Sequence, residues 1–582
     1  MRFQVWAPRA ADVVIEADGV RQHMRADASG WWSVEVADAT HGTDYGFRLD
    51  GGDLRPDPRS AWQPYGPHGP SRVDDPSRFD WADGDWADGD WAGAQLAGSV
   101  LYELHIGTFT QQGTFDGAIE RLDHLVELGV DLVEVMPVAA FDGEHGWGYD
   151  GVALWAVHEP YGGPDGLRRF VDACHGRGLG VVLDVVYNHL GPSGNYLGEF
   201  GPYFTDHHRT PWGDAVNLDG PGSDDVRAYV LDNALRWLGE FHVDALRLDA
   251  VHALYDDRAV HLLEELAVRV GDLAAEVGRP LHLIAESDRN DPRTVTPQAA
   301  GGVGLTAQWA DDVHHALHAV LTGERQGYYG DFGSLATLAK VHTRVFEHDG
   351  TWSSFRQRHH GRAVDRSAVP GWRFVTFLQD HDQVGNRATG DRLAATISRR
   401  RLEIGAAVLL TGPFTPMLFM GEEWAASTPW QYFTDFGDPD LGQAVSEGRR
   451  AEFAEHGWSG DALPDPQDRS TFERSRLDWT ELERSPHHEM LAWYRALIRL
   501  RRAHPDLTDP RLERVAVDYD EDAGWFVLHR GRLRVVVNLA EHSQQVPLDR
   551  SANRVLVASG RCSPVAAGVG LETETVAIVE VG

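Results

Sequence analysis

The chain has 582 residues but a single lysine, Lys340, only two cysteines, Cys174 and Cys562, and no run of about 18 apolar residues. Each shortage excludes something. Two cysteines cannot build a disulfide framework, and without thiolate clusters a cysteine-based metal centre is not expected. Without a long apolar run, no segment reads as a membrane-spanning helix. The opening MRFQVWAPRAADVVIEADG has neither the charged n-region nor the continuous apolar stretch of a signal peptide, so a cytoplasmic location is the expectation. Positive charge is also short. Lys+Arg number 53 against 89 Asp+Glu, a net charge of −36, and a surface that acidic repels phosphate backbones and anionic lipid. Neither nucleic acid nor a membrane is an expected partner. The replacement of lysine by arginine reads as compositional drift and carries no functional reading.

The order of segment types predicts an α/β protein: a (β/α)8 TIM barrel with a β-sandwich on either side. Over residues 1–80, short β-type runs (FQVWAP, DVVIEA, WWSVEV, DYGFRL) alternate with turn residues, which predicts a small antiparallel sandwich, immunoglobulin-like in form. WADGDWADGDWAG, Trp81 to Gly93, reads as a linker that packs its tryptophans on a neighbour rather than as a sugar-stacking platform. The boundaries follow: 1–93 for the sandwich and linker, 94–508 for the barrel with its loop insertions, and 509–582 for a C-terminal β-sandwich built from GWFVLHR, LRVVVNLA, NRVLVAS and TETVAIVEV.

Between the two sandwiches eight strand-length apolar runs recur: VLYELHIGTF (100–109), VDLVEVMPV (130–138), GVVLDVVYNH (180–189), VDALRLDAV (243–251), LHLIAES (281–287), GLTAQWADD (304–312), FVTFLQDHD (374–382) and FTPMLFMGEE (414–423). Amphipathic helical patterns such as GLRRFVDACHGRG and VRAYVLDNALRWLGEF lie between most of them, and eight βα units close into a parallel barrel. The long segment between the second and third runs is expected to form an excursion over the rim. A doubly wound open sheet would want a glycine-rich phosphate turn after the first strand, which HIGTFTQQGTF does not supply.

Three of the runs end in acids: Asp249, Glu286 and Asp382. A barrel delivers catalytic groups to one rim from the ends of several strands. A carboxylate nucleophile, a carboxylic acid that gives and retakes a proton, and a third carboxylate are what retaining glycoside hydrolysis needs. In that reading Asp249 attacks the anomeric carbon, Glu286 protonates the leaving oxygen and later activates water, and Asp382 holds the ring and stabilises the transition state. Arg247 lies two residues before Asp249 in the same strand and so shares its face, where its charge favours the ionised carboxylate. Glu286 needs the opposite, a drier setting that keeps it protonated at neutral pH.

DVVYNH (184–189), ALRLDAVH (245–252), LIAES (283–287) and FLQDHD (377–382), in that order, resemble the signature segments of the α-amylase superfamily over the whole barrel. The resemblance implies the same roles for Asp249, Glu286 and Asp382. It further implies that Arg247, His189 and His381 bind the sugar at the cleavage point, that Tyr149 stacks under it, and that Asp184 orients Arg247. Asp380 departs from the pattern, since an amide commonly stands before the His-Asp pair, and a further carboxylate there could perturb Asp382. The N-terminal module beginning FQVWAPRA resembles those of glycogen-branching enzymes and trehalose-releasing hydrolases alike, whereas AESDRNDPR (285–293), AQWADDVHHALH (307–318) and HDQVGNR (381–387) are similar to the maltooligosyltrehalose trehalohydrolase family. That family cuts the α-1,4 bond next to a terminal α,α-trehalose of maltooligosyl trehalose, so the resemblance implies this substrate and other α-1,4-glucan oligosaccharides as ligands, and a synthase that forms the trehalose end as an upstream partner.

Trehalose is bent at its 1,1 linkage, so the leaving-group side must recognise a ring turned away from the glucan direction. His252 and Asp311 are the candidates for that task, with ordinary loop hydrogen bonding as the alternative. Glu423 and Trp424, at the end of the eighth run, are expected to pack. No cofactor and no metal are expected: HHALH has no companion ligands with zinc spacing and reads as helical surface or rim histidines, and no dense oxygen-ligand loop for calcium accompanies Asn188. A glucan-branching transferase or a general α-1,4-glucan hydrolase would use the same three acids. A non-catalytic glucan-binding protein would be expected to lack one of them.

Overall fold

The computed structural model describes residues 1–81, 91–455 and 463–582. The expected tryptophan-rich linker falls largely on 82–90, outside the described residues. Its flanks pack on the base of the barrel: Trp81 stacks on His242 with ring centroids 3.8 Å apart, and Trp91 stacks on His175 at 4.4 Å while its indole N–H donates to Asp244 at 2.8 Å.

The N-terminal residues form two facing antiparallel sheets. One pairs Arg2–Trp6 with Trp31–Glu35 and Arg25–Ala26; the other runs Val20–His23, Val13–Ala17, Asp44–Leu49 and Leu54–Arg55, with Ser71–Arg72 also on Asp44–Leu49. Alternation explains both. Phe3 from one sheet and Val13 and Ile15 from the other are buried while their neighbours in sequence are more exposed, and Val5 and Phe47 join them in the core. Ion pairs and rings dock this sandwich on the barrel: Arg59 donates to Asp232 at 2.8 Å and lies over Trp155, and Trp6 meets Tyr203 edge-on.

The eight expected strands all form, parallel and in sequence order: Leu101–Leu104, Leu132–Val135, Gly180–Val185, Ala245–Leu248, His282–Ala285, Ala307–Trp309, Phe374–Phe377 and Thr415–Phe419, the last closing on the first. Each is shorter than its apolar run, because the polar endings leave the ladder as rim loops. HIGTF, included in the first strand, is instead the helical turn Ile106–Phe109, in which the Phe109 N–H donates back to the His105 carbonyl at 2.9 Å. Asp382 is likewise not at a strand end but in the first turn of helix His381–Gly385.

Hairpins rise from the carboxyl rim. Ala139–Ala140 paired with Ala153–Val157 is the excursion expected after the second strand, whereas Phe204–Thr210 with Gly213–Val216, after the third, has no counterpart in the sequence reading. The HHALH histidines are helical, in Asp311–Thr322, but not on the surface or rim. His314, His315 and His318 are buried against Tyr328, Tyr329 and Phe377, and burial pushes His315 down to about 3. His314 and His315, both lowered by burial, pack as neutral apolar plates, whereas His318 also contacts Glu324 at 2.8 Å through Nε2. After helix His487–Ala503 the chain ends in a five-stranded and a three-stranded antiparallel sheet around Val527, Val536, Val546, Val569 and Val579.

Candidate active site

At the rim, Arg247 is fully buried and ties three carboxyls together. Its Nη1 donates to both oxygens of Asp184, at 2.8 and 3.0 Å, and to Asp249 Oδ1 at 2.9 Å, while Nη2 lies 3.2 Å from Glu286 Oε2. The guanidinium plane rests 4.4 Å from the Trp309 ring centroid, so its hydrophobic face is covered as well as its charged edge. Asp184 on the third strand and Arg247 on the fourth are partners in the strand register, which is why a buried acid and base meet with such short contacts. Burial pushes Asp184 up to about 6 against the pull of Arg247.

Asp249 has both oxygens engaged, Oδ1 by Arg247 and Oδ2 by the Asn188 amide at 2.6 Å. Acceptors held from both sides are fixed in direction. Glu286 stands differently. One oxygen accepts the Ala250 backbone N–H at 2.6 Å, and its carboxyl is pushed up to about 8: burial is the largest cause, Arg247 opposes it, and Asp249 and Asp382 add to it. Ala250, immediately after Asp249, carries a left-handed backbone at φ 39°, a conformation that costs a residue with a Cβ and that turns its N–H toward Glu286. Asp249 and Glu286 contact one guanidinium, so the two carboxyls are neighbours with contrasting surroundings.

The other expected side chains gather around this pair. The Tyr149 hydroxyl donates to Asp184 Oδ2 at 2.6 Å and lies 2.8 Å from His381 Nε2, with the two rings stacked at 5.1 Å. His189 contacts the Tyr149 carbonyl at 3.0 Å through Nε2, and burial lowers its pKa. Asp382 is the open member of the set: its side chain is 44 % exposed, 3.7 Å from His381 Nε2, and accepts from Asn386 at 3.0 Å. Asp380 does not face the cleft. It caps helix His381–Gly385 by accepting the Gln383 N–H at 2.6 Å, and burial drives its carboxyl well above the usual range, with Glu103 adding to that and His381 opposing it.

The cleft above these groups has a volume of about 1010 Å³. His252 lines it, and its Nδ1 accepts the Asp288 N–H at 3.3 Å. Asp311 opens helix Asp311–Thr322 and is not one of the lining side chains; burial pushes it up to about 7, with Asp312 adding to the shift. Glu423 and Trp424 are buried below the rim, Glu423 bonded to Tyr102 and His124, in agreement with a packing role.

Several residues in and behind the cleft escape the sequence reading. Trp212, at the turn of the unexpected hairpin, stacks on His189 at 4.5 Å and is half exposed. Helix Pro439–Glu455 contributes Val445, Gly448 and Arg449 to the opposite wall. Glu103 accepts from the His381 backbone N–H at 2.9 Å and from its Nδ1 at 2.5 Å. The available signal for Glu103 is its place two residues after Leu101 in an apolar strand, the same spacing that separates Ala245 from Arg247.

The family described as "Alpha amylase, catalytic domain" matches residues 76–209, and a domain of unknown function, DUF3459, matches residues 510–578. The chain is 56 % identical to a malto-oligosyltrehalose trehalohydrolase of Arthrobacter ramosus over 99 % of each chain, and 54 % identical to one of Mycobacterium tuberculosis over 94 % of each. A solved Salmonella typhimurium structure assigned as an alpha amylase is 39 % identical and superposes with a TM-score of 0.91, covering 100 % of this chain and 97 % of its own. Identity of that extent, over nearly the full length of both relatives, shows that the chain belongs to the malto-oligosyltrehalose trehalohydrolase family, glycoside hydrolases of the alpha-amylase superfamily.

Proposed function

We propose that the enzyme hydrolyses the α-1,4 bond adjacent to the terminal α,α-trehalose of maltooligosyl trehalose, releasing trehalose and a shortened maltooligosaccharide with retention. One observation carries the chemistry: Asp249 and Glu286 share one guanidinium, yet the first has hydrogen-bond donors on both oxygens while the second sits in a site that holds its proton up to about 8. A pair split in this way supplies an ionised nucleophile and a protonated acid at the same pH. Asp249 attacks the anomeric carbon as Glu286 gives its proton to the glycosidic oxygen. The trehalose unit leaves, and Glu286, now a carboxylate, takes a proton from water that opens the glycosyl-enzyme. Asp382, exposed and beside His381, binds the ring hydroxyls and opposes the positive charge that develops at the anomeric carbon. Tyr149 and His189 form the floor under that sugar, and His252 faces the leaving group. Asp311 supports that side through the electrostatics of the helix start, not by touching sugar.

The specificity for a trehalose end rests on the family. A cytoplasmic setting suits Cys174 and Cys562, both free thiols, and no described helix is long and apolar enough to cross a membrane. Product analysis tests the function: purified protein is incubated separately with maltotriosyl trehalose and maltopentaose, and the products are separated by chromatography. Rapid release of free trehalose with slow attack on maltopentaose is the expected result. Equal cutting of both would make it a general α-1,4-glucanase, and transfer of chains onto added glucan would make it a branching transferase.

A further inference from the structure

We propose that Glu103, on the first barrel strand, is a positioning residue: by accepting from both the backbone N–H and the ring Nδ1–H of His381, it fixes that ring as a doubly protonated donor whose Nε2–H holds the Tyr149 hydroxyl at the cleft wall. The contacts around the ring fix its protons one by one. A carboxylate only accepts, so the 2.5 Å contact between Glu103 Oε1 and His381 Nδ1 needs a proton on Nδ1. Tyr149 has a single hydroxyl proton, and the 2.6 Å contact to Asp184 Oδ2 uses it, because that carboxylate already accepts from Arg247 at both oxygens. The 2.8 Å contact between the Tyr149 oxygen and His381 Nε2 therefore needs a proton on Nε2 as well. Both ring nitrogens carry hydrogen, and the ring is an imidazolium.

The surroundings agree with that count. Burial works against the charged ring, but Glu103 and Asp382 oppose it and His381 is pushed up to about 10. The remaining titratable groups around it are Glu134 on the second strand, Tyr149 on the loop after it, Asp184 on the third strand, Arg247 on the fourth, and His105, which burial pushes down to about 3 and so keeps neutral. Glu134 stands directly across from Glu103 in the strand register; both are 1 % exposed, and neither Glu134 oxygen has a hydrogen-bond partner among the described residues. Two neighbouring carboxyls in a dry barrel do not both ionise. Glu103 has two N–H groups of His381 on its oxygens whereas Glu134 has none, and Glu134 is the neutral member, held well above the usual carboxylate range by burial and by Glu103.

The inference rests on reading the cleft as a glycosidase site, and its test separates the two. In E103Q the ring loses its counter-charge while the side-chain shape is kept. We expect kcat on maltotriosyl trehalose to fall about tenfold or more with KM within about twofold, since a preorganised charge acts mainly on the transition state. The alkaline limb of kcat, assigned in the native enzyme to Glu286 near 8 because His381 lies higher, near 10, should move down by about one pH unit as loss of the counter-charge brings His381 below Glu286, to about 7. A purely structural role would lower the folded fraction and leave the limb in place, and that result would overturn the proposal. E134Q, which mimics a neutral acid, should leave the limb unmoved; a shift there would show that Glu134 carries the charge and reverse the assignment. Independently of any variant at Glu103, ring-¹⁵N histidine spectra of the native protein at pH 8.5, with the His381 signals identified by their loss in H381Q, should show both nitrogens protonated. A neutral ring at that pH would refute the proposal, and this readout involves no substrate, so it stands even if the product analysis assigns another glucan reaction.

Discussion

The same eight strands line the barrel at two depths, and the two layers differ in kind. The lower layer has one residue from each strand, Leu101, Leu132, Val182, Ala245, Ile284, Ala307, Val375 and Met417, all fully buried and packed as one cluster. Two residues further along each strand stand Glu103, Glu134, Asp184, Arg247, Glu286, Trp309, Phe377 and Phe419. Five of these eight are ionisable and the other three are aromatic. Side chains two apart share a face, so the strands change from floor to reaction site within about 7 Å of rise. The apolar floor closes the barrel and excludes water from below, and that dryness splits the charges above it into ionised and neutral members.

The comparison predicts that the two layers fail differently. Asp249→Asn keeps the shape of the proposed nucleophile but removes its charge. Turnover should fall by about 10⁴-fold or more while substrate binding persists, because groups that act as a unit lose nearly everything when one is removed. Equilibrium binding of maltotriosyl trehalose and its initial rate of cleavage check this in one preparation. Activity near the native level would take Asp249 out of the mechanism. Leu132→Ala in the floor should do the reverse: it leaves a cavity and lowers stability by about 2–5 kcal/mol, with kcat per folded molecule and its pH dependence unchanged. If a floor variant moved the alkaline limb, the layers would not be separable and the division by depth would fail.

A third test uses the upper layer's effect on stability. Glu286 has a folded-state value of about 8 against an ordinary value of 4.5. A group raised on folding stabilises the fold fully below its unfolded value and loses that contribution as pH rises through the folded one, so the window is pH 4.5 to 8. Asp311 and Asp184, raised to about 7 and about 6, act with the same sign. Across that window native Tm should fall relative to the Tm of E286Q, which is neutral throughout; buried histidines such as His105 and His315, lowered to about 3, act with the opposite sign in both proteins and cancel in the difference. Parallel Tm curves for the two proteins would mean that Glu286 is not desolvated in solution.

These layers also mark what the sequence could and could not reveal. The eight strands were readable because each is an apolar run followed by polar rim residues. The three acids and Arg247 were readable because motifs flank them. Glu103 and Glu134 were not, since strands buried on both faces show no alternation: in LYEL and LVEV the outward Tyr102 and Val133 are as apolar as the inward floor residues, and an acid among them looks like an interruption. The end of the first strand is illegible for a related reason, as HIGTF is equally apolar whether it extends or turns. By residue type the HHALH histidines belong outside, whereas Tyr328, Tyr329 and Phe377, distant in sequence, supply the faces that bury them. The hairpin Phe204–Val216 lies in a polar stretch with no strand pattern, and Trp212 reaches the cleft only through its register.

Trp212 gives the smallest effect and the finest distinction. It belongs to neither layer, since it hangs over the cleft from a surface hairpin and touches the site through one stack on His189, with rings 4.5 Å apart and 12° from parallel. An aromatic pair of this kind contributes about 0.5–1.5 kcal/mol beyond area. Trp212→Ala should therefore raise KM for maltotriosyl trehalose about three- to tenfold, leave kcat and its pH limbs in place, and lower Tm little, because half of the side chain is already in water. Steady-state kinetics over the pH range would show it. A fall in kcat with KM unchanged would mean that Trp212, through His189, holds the reacting sugar in its transition-state geometry, and the reaction site would then extend beyond the barrel interior to its surface loops.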